Sequence, residues 1–128
     1  MKKLIININN SLFAQATQDS LLKTGDFMVE RVLSNKAEDI SEACFAFNAN
    51  LLFMDVSRNP VCGLEQRLKT IATVKKCLPF IKTALFCDSN SDPDIAEQVK
   101  TAKAIGQIDA FFYEIVTANY LVDALDSL

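Results

Sequence analysis

Leu51-Leu52-Phe53-Met54-Asp55 is the stretch on which the fold turns: four large apolar residues in unbroken succession, closed by a carboxylate. A run this short, with no polar alternation, fits a strand buried on both faces, the condition of a central strand in a parallel sheet. A parallel strand needs a crossover element on each side of it, and the flanking sequence supplies two. Upstream, Ile40, Ala43, Cys44 and Phe47 recur at i, i+3, i+4 and i+7, the spacing of a helix with one apolar face. Downstream, Asn59-Pro60 and Gly63 mark a loop. Leu64, Leu68, Ile71 and Leu78 then stripe a helix that Pro79 stops.

The same alternation runs outward to both ends. Leu4-Ile5-Ile6-Asn7-Ile8 reads as a first strand. Asn9-Asn10-Ser11 offers N-cap chemistry to a helix bearing Leu12, Phe13, Ala16 and Leu21, and Thr24-Gly25-Asp26 closes it. Residues Phe27 to Leu33 form a second strand and Thr83 to Cys87 a fourth. The polar run Asp88 to Pro93 leads into a helix with Ile95, Val99, Ala102 and Ile105, ending at Gly106. Ile108 to Tyr113 is the fifth strand, and Thr117 caps a last helix with Leu121, Ala124, Leu125 and Leu128. Repeated βα units imply an α/β domain, a parallel sheet with helices on both faces joined by right-handed crossovers. Its functional crevice lies at the carboxyl ends of the strands. That brings Ile8-Asn9, Asp55, Cys87 and Tyr113-Glu114 into one neighbourhood.

Composition narrows the function. The 128 residues suit one domain, 1–128, and half are hydrophobic, enough for a core. A net charge of -3 without a basic patch argues against nucleic-acid binding. The apolar runs are too short to span a membrane. Met1-Lys2-Lys3 followed by Leu4-Ile5-Ile6 is broken at Asn7, so no signal peptide is expected and a cytoplasmic location is. The four cysteines, Cys44, Cys62, Cys77 and Cys87, form no close pair, and there is no histidine. A zinc site and the Ser-His and Cys-His hydrolase mechanisms are thereby disfavoured, and the chain is not expected to be an enzyme. Cys62 and Cys87 fall on the predicted crevice face. A redox pair is disfavoured there, because reactive thiols need an electropositive setting and this face is acidic.

Two segments carry a resemblance. Lys2-Lys3-Leu4-Ile5-Ile6-Asn7-Ile8-Asn9-Asn10-Ser11-Leu12-Phe13 resembles the opening of response-regulator receiver domains of two-component systems. Leu51 to Glu65 is similar to the segment holding that family's phosphoacceptor aspartate, with Asp55, Pro60 and Gly63-Leu64-Glu65 in order and the proline one residue late. The resemblance covers the whole chain. It implies a flavodoxin-like three-layer (βα)5 sandwich, a five-stranded parallel sheet in order 2-1-3-4-5, and Asp55 as the phosphoacceptor-like residue.

The departures lie at the chemistry. The family's metal-binding acidic pair aligns with Ile8 and Asn9, its strand-four hydroxyl with Cys87, its strand-five lysine with Glu114 and its switch aromatic with Phe111. Tyr113 is the alternative register for the lysine. Magnesium wants anionic oxygens, which isoleucine and asparagine do not supply, so no metal or other cofactor is expected. Asp55, Asp88 and Glu114 are the weak metal candidates. A phosphoryl group would add roughly -1.5 to -2 charges beside Glu114, with no cation to offset them. The expectation is a degenerate, pseudo-receiver site in a module that acts through protein contacts. The expected partner is a sensor kinase or an effector domain; the sequence leaves open both a stand-alone protein and a domain excised from a longer regulator with a DNA-binding effector. A homodimer through the last two helices and the fifth strand, with Tyr120 at its edge, is a further expectation. Two alternatives stand beside it: a phosphorylation-competent regulator using Asp55 and, less favoured, a small flavodoxin-like cofactor binder. The latter lacks a glycine-rich or Ser/Thr-rich first turn for a phosphate.

Overall fold

The computed structural model describes residues 1–57, 62–87, 93–113 and 117–128, and only the backbone of Tyr113. Its elements alternate strictly. They are β1 (Lys2–Asn7), α1 (Ser11–Lys23), β2 (Phe27–Arg31), α2 (Ala37–Phe47), β3 (Leu51–Val56), α3 (Leu64–Cys77), β4 (Lys82–Cys87), α4 (Pro93–Ala104), β5 (Ala110–Tyr113) and α5 (Ala118–Asp126). All strand pairs are parallel, and the sheet order is β2-β1-β3-β4-β5, as expected. The order reverses between β1 and β3, so their carboxyl ends open the switch-point crevice.

Each strand feeds two cores because successive side chains point to opposite faces. Leu4 and Ile6 of β1 join Phe53, Ala84 and Phe112 beneath α1 and α5, where Ala14, Leu21, Leu121 and Leu125 pack. Ile5 joins Leu52, Met54 and Leu85 on the other face, against Ile40 and Cys44 of α2, Ile71 and Val74 of α3, and Val99 and Ala102 of α4. Burial there pushes the Cys44 thiol up to about 12, which keeps it protonated and inert. All four cysteines are thiols.

Local chemistry sets the ends. The Asn10 side chain accepts from the Phe13 N–H at 3.1 Å to start α1, and Thr117 accepts from the Tyr120 N–H at 3.1 Å to start α5. Gly25 and Gly106 take positive φ, +75° and +85°, after α1 and α4.

Several expected positions move. β2 stops at Arg31 rather than Leu33, and β5 begins at Ala110 rather than Ile108. Leu12 and Ile105, placed on apolar stripes from sequence, are exposed, while Ala14 and Ala96 are buried. On α3 the inward face is Arg67, Thr70, Ile71 and Val74, with Leu64 and Leu68 only half-buried. Among the described residues no helix is long and apolar enough to cross a membrane.

Candidate functional site

Asp55 sits in the last turn of residues of β3, next to the end of β1, and its side chain is 15% exposed. Two neutral groups from the β1–α1 connection face it. The Asn9 backbone N–H donates to Oδ2 at 3.1 Å, and the Asn9 side-chain amide donates to Oδ1 at 3.1 Å. The same amide nitrogen lies 2.8 Å from Cys62 Sγ, and Asn9 Oδ1 accepts from Asn35 at 3.1 Å. A carboxylate can only accept, so the Asn9 amide must present its N–H groups to Asp55. Ile8, the other acidic-pair position, is buried in the core beneath α1 and α5 and takes no part in the crevice.

The residue that dominates the site is Arg67 of α3, which sequence reasoning missed. It is 0% exposed. Its Nη2 bonds Asp55 Oδ1 at 2.7 Å, and its Nε bonds the Asp55 backbone carbonyl at 2.7 Å. Nη1 donates to Asn7 Oδ1 at 2.6 Å and approaches Met54 Sδ at 3.5 Å, while Nη2 also reaches the Asn7 carbonyl at 3.4 Å. Every guanidinium nitrogen is thus engaged, which is what a buried cation requires. Asn7 is equally committed. Its amide nitrogen donates to the carbonyls of Val32 and Ser34, at 2.8 and 2.9 Å. A signal for Arg67 exists in the sequence: positions 67, 71, 74 and 78 share one helical face, so an arginine lies on an apolar stripe. Such a residue calls for an internal anion.

The other expected site residues fall as follows. Cys87 ends β4, buried, opposite Val56 of β3 and Tyr113 of β5. Phe111 is half-buried against the α2–α3–α4 core, with the Lys103 ammonium 5.7 Å from its ring centroid. Phe112 points to the opposite core. Asp88 and Glu114 lie outside the described residues, as do Asn59 and Pro60 of the loop after β3. Among the described residues the Asp55 carboxylate is held by Arg67 and by the Asn9 backbone and side-chain amides of the β1–α1 connection.

The donor set among the described residues does not fit a magnesium ion. A hard dication needs several anionic or carbonyl oxygens converging on it. Among the described residues the crevice offers one carboxylate, an amide turned to present nitrogen, and a guanidinium already on the carboxylate. No cluster of three or more metal-ligating side chains occurs among the described residues.

Comparison with known proteins supplies the fold's context. No protein-family model matches the chain, and no curated protein sequence does so either. Solved structures do. A CheY-like protein, TadZ, from Pseudomonas aeruginosa PAO1 superposes with a TM-score of 0.75 at 14% identity, over 99% of this chain and 98% of that one. A CheY-like response regulator receiver domain from Methanospirillum hungatei gives 0.72 at 16% identity, over 99% and 92%. A streptococcal protein, from a family described as redox sensors evolved from two-component response regulators, gives 0.76 at 13% identity, over 99% of this chain and 50% of its own. At these identities the likeness is one of fold, and the chain has the flavodoxin-like fold of CheY-like response regulator receivers.

Proposed function

We propose that the chain is a receiver-like signalling module that acts through contacts with other proteins, and that Asp55 is a poor phosphoacceptor. The observation that carries this is the pairing of Asp55 Oδ1 with the buried Arg67 guanidinium at 2.7 Å. Phosphoryl transfer to a carboxylate is driven by positioning and by cations that neutralise the transferred group. Arg67 cannot serve as that cation. It lies behind the carboxylate at 0% exposure, and its charge is already matched by Asp55. A phosphoryl group arriving from the solvent side would face the neutral Asn9 amide instead. The fold supports a signalling role, since its solved neighbours are receivers. The streptococcal neighbour, from a family described as redox sensors evolved from response regulators, supports the idea that such a fold serves in sensing as well as in receiving. A sensor kinase or an effector domain is the class of partner this reading implies.

The test is incubation with acetyl phosphate and magnesium, followed by intact mass and hydroxylamine treatment. The expected result is no mass gain, and no saturable magnesium binding at submillimolar concentration by calorimetry. A hydroxylamine-labile phosphate adduct near one per chain, lost in Asp55→Asn, overturns the reading and makes Asp55 a working phosphoacceptor.

A further inference from the structure

Two hydrogen-bonded routes leave Asp55, and both arrive at the same place, the connection between β2 and α2. The first runs from Asp55 Oδ1 to Arg67 (2.7 Å), from Arg67 to Asn7 Oδ1 (2.6 Å), and from the Asn7 amide to the carbonyls of Val32 and Ser34 (2.8 and 2.9 Å). The second runs from Asp55 through the Asn9 side chain to Asn35, at 3.1 Å for each step. The connection passes the link onward. Ser34 Oγ donates to Asp39 in the first turn of α2 at 2.5 Å and accepts from the Lys36 N–H at 3.2 Å. Between these anchors Leu33 stands 80% exposed. The Asn35 side-chain oxygen is buried with no hydrogen-bond partner among the described residues.

We propose that Arg67 and Asn7 are positioning residues that tie the charge on Asp55 to the β2–α2 connection, making residues 32–36 the part of the molecule that responds when that charge is altered. This deepens the reading above and rests on the Asp55 crevice being the functional centre. The physical reason is the burial of Arg67. Any event that neutralises Asp55, whether a covalent adduct, a proton or a partner's cation, leaves a guanidinium without its anion in a site that water does not reach. The guanidinium must then shift toward its remaining acceptors, and the nearest side-chain acceptor is Asn7 Oδ1. Asn7 cannot follow without disturbing both carbonyls it holds, since neither of its amide hydrogens is spare. The first and second routes act in parallel, so the connection feels Asp55 from both of its ends.

The test compares Asp55→Asn in two backgrounds by amide chemical shifts and hydrogen exchange. In the native background, Asp55→Asn is expected to shift the amides of residues 32–36 and to speed their exchange about tenfold or more relative to the rest of the sheet. The second background is Asn7→Ala with Asn35→Ala. Asn7→Ala removes both donors to the connection without giving Arg67 a second anion, and Asn35→Ala cuts the second route. There, Asp55→Asn is expected to move the Arg67 Nε resonance while leaving residues 32–36 unchanged. Should Asp55→Asn fail to fold, Asp55→Leu with Arg67→Met removes both charges together; with no guanidinium left to shift, residues 32–36 are expected to keep their native exchange, and loosening there overturns the coupling. An unmoved 32–36 segment in the native background, or an equal response in both backgrounds, overturns the coupling. A response confined to β4 and β5 does the same. Acetyl phosphate labelling of the native chain reads the phosphoacceptor question separately, so either proposal can fall without the other.

Discussion

Asp55 is the counterion of the buried Arg67. A guanidinium at 0% exposure is tolerated only because a carboxylate, two carbonyls and an amide oxygen surround it. Removing one partner of a buried pair costs about 3–5 kcal/mol, because the other charge is stranded, whereas replacing both by apolar groups is often neutral or better. Asp55→Ala is therefore expected to lower unfolding stability by about 3 kcal/mol, the low end of that range because Asp55 retains some solvent contact. Asp55→Leu with Arg67→Met should recover most of the loss. Urea titration of the single and double variants checks this, and the sign is diagnostic. Were the crevice a cluster of unpaired carboxylates, neutralising one would relieve repulsion and raise stability. Asp55 itself was legible in the sequence because it terminates an apolar run. Its partner was not, because the α3 stripe reads equally well through Leu64 and Leu68, a frame that leaves Arg67 off the inward face. Only the docking of the helix on the sheet decides between the two frames, which at 3.6 residues per turn lie roughly 60° of helical rotation apart.

At the scale of elements the sequence was most readable where an element is buried on all sides. β3 and β4 are continuous apolar runs and appear within a residue of where they were expected. The edge strands were read too long, β2 by Val32 and Leu33 and β5 by Ile108 and Asp109, because the residues flanking a ladder look the same in sequence as those within it, and Val32 and Asp109 still donate a backbone N–H to the neighbouring strand. Capping residues were legible at Asn10 and Thr117, whose side chains accept from the first-turn N–H groups. The left-handed C-cap of α2 at Asn48, φ 54°, was not, since asparagine is a weaker signal than glycine there. α5 puts the capping argument at risk. It has 9 residues, too short to persist without help, and Thr117 is its N-terminal side-chain cap. Thr117→Ala is expected to cost about 1 kcal/mol in chemical denaturation, and Thr117→Ser to restore most of it. Equal losses in both variants would show that the hydroxyl is not what starts the helix.

For the whole molecule the question is where a protein partner would sit. Two edges of the sheet differ. The β2 side is bound to Asp55 through Asn7 and Asn9, while the β5 side carries the aromatic residues Phe111 and Phe112 and the helix start with Tyr120. Tyr120 is 61% exposed and meets Phe112 edge-on, with ring centroids 6.4 Å apart. A ring held from one side by a core residue and open on the other loses little freedom on docking, which is what makes tyrosine an effective anchor. Ile105, exposed at the end of α4, extends apolar surface along the neighbouring helix. A homodimer through α4, β5 and α5 is therefore the association we expect. Because Asp55 already carries its counterion, association should not require a phosphodonor. Sedimentation velocity with and without acetyl phosphate should give the same dimer fraction, and Tyr120→Ala should shift the dissociation constant upward by about tenfold, the effect of losing roughly 1.4 kcal/mol at an aromatic anchor. A monomer at every concentration removes this interface. Association that appears only with the phosphodonor would mean that phosphorylation breaks the Asp55–Arg67 pair, and the lock would then be a switch.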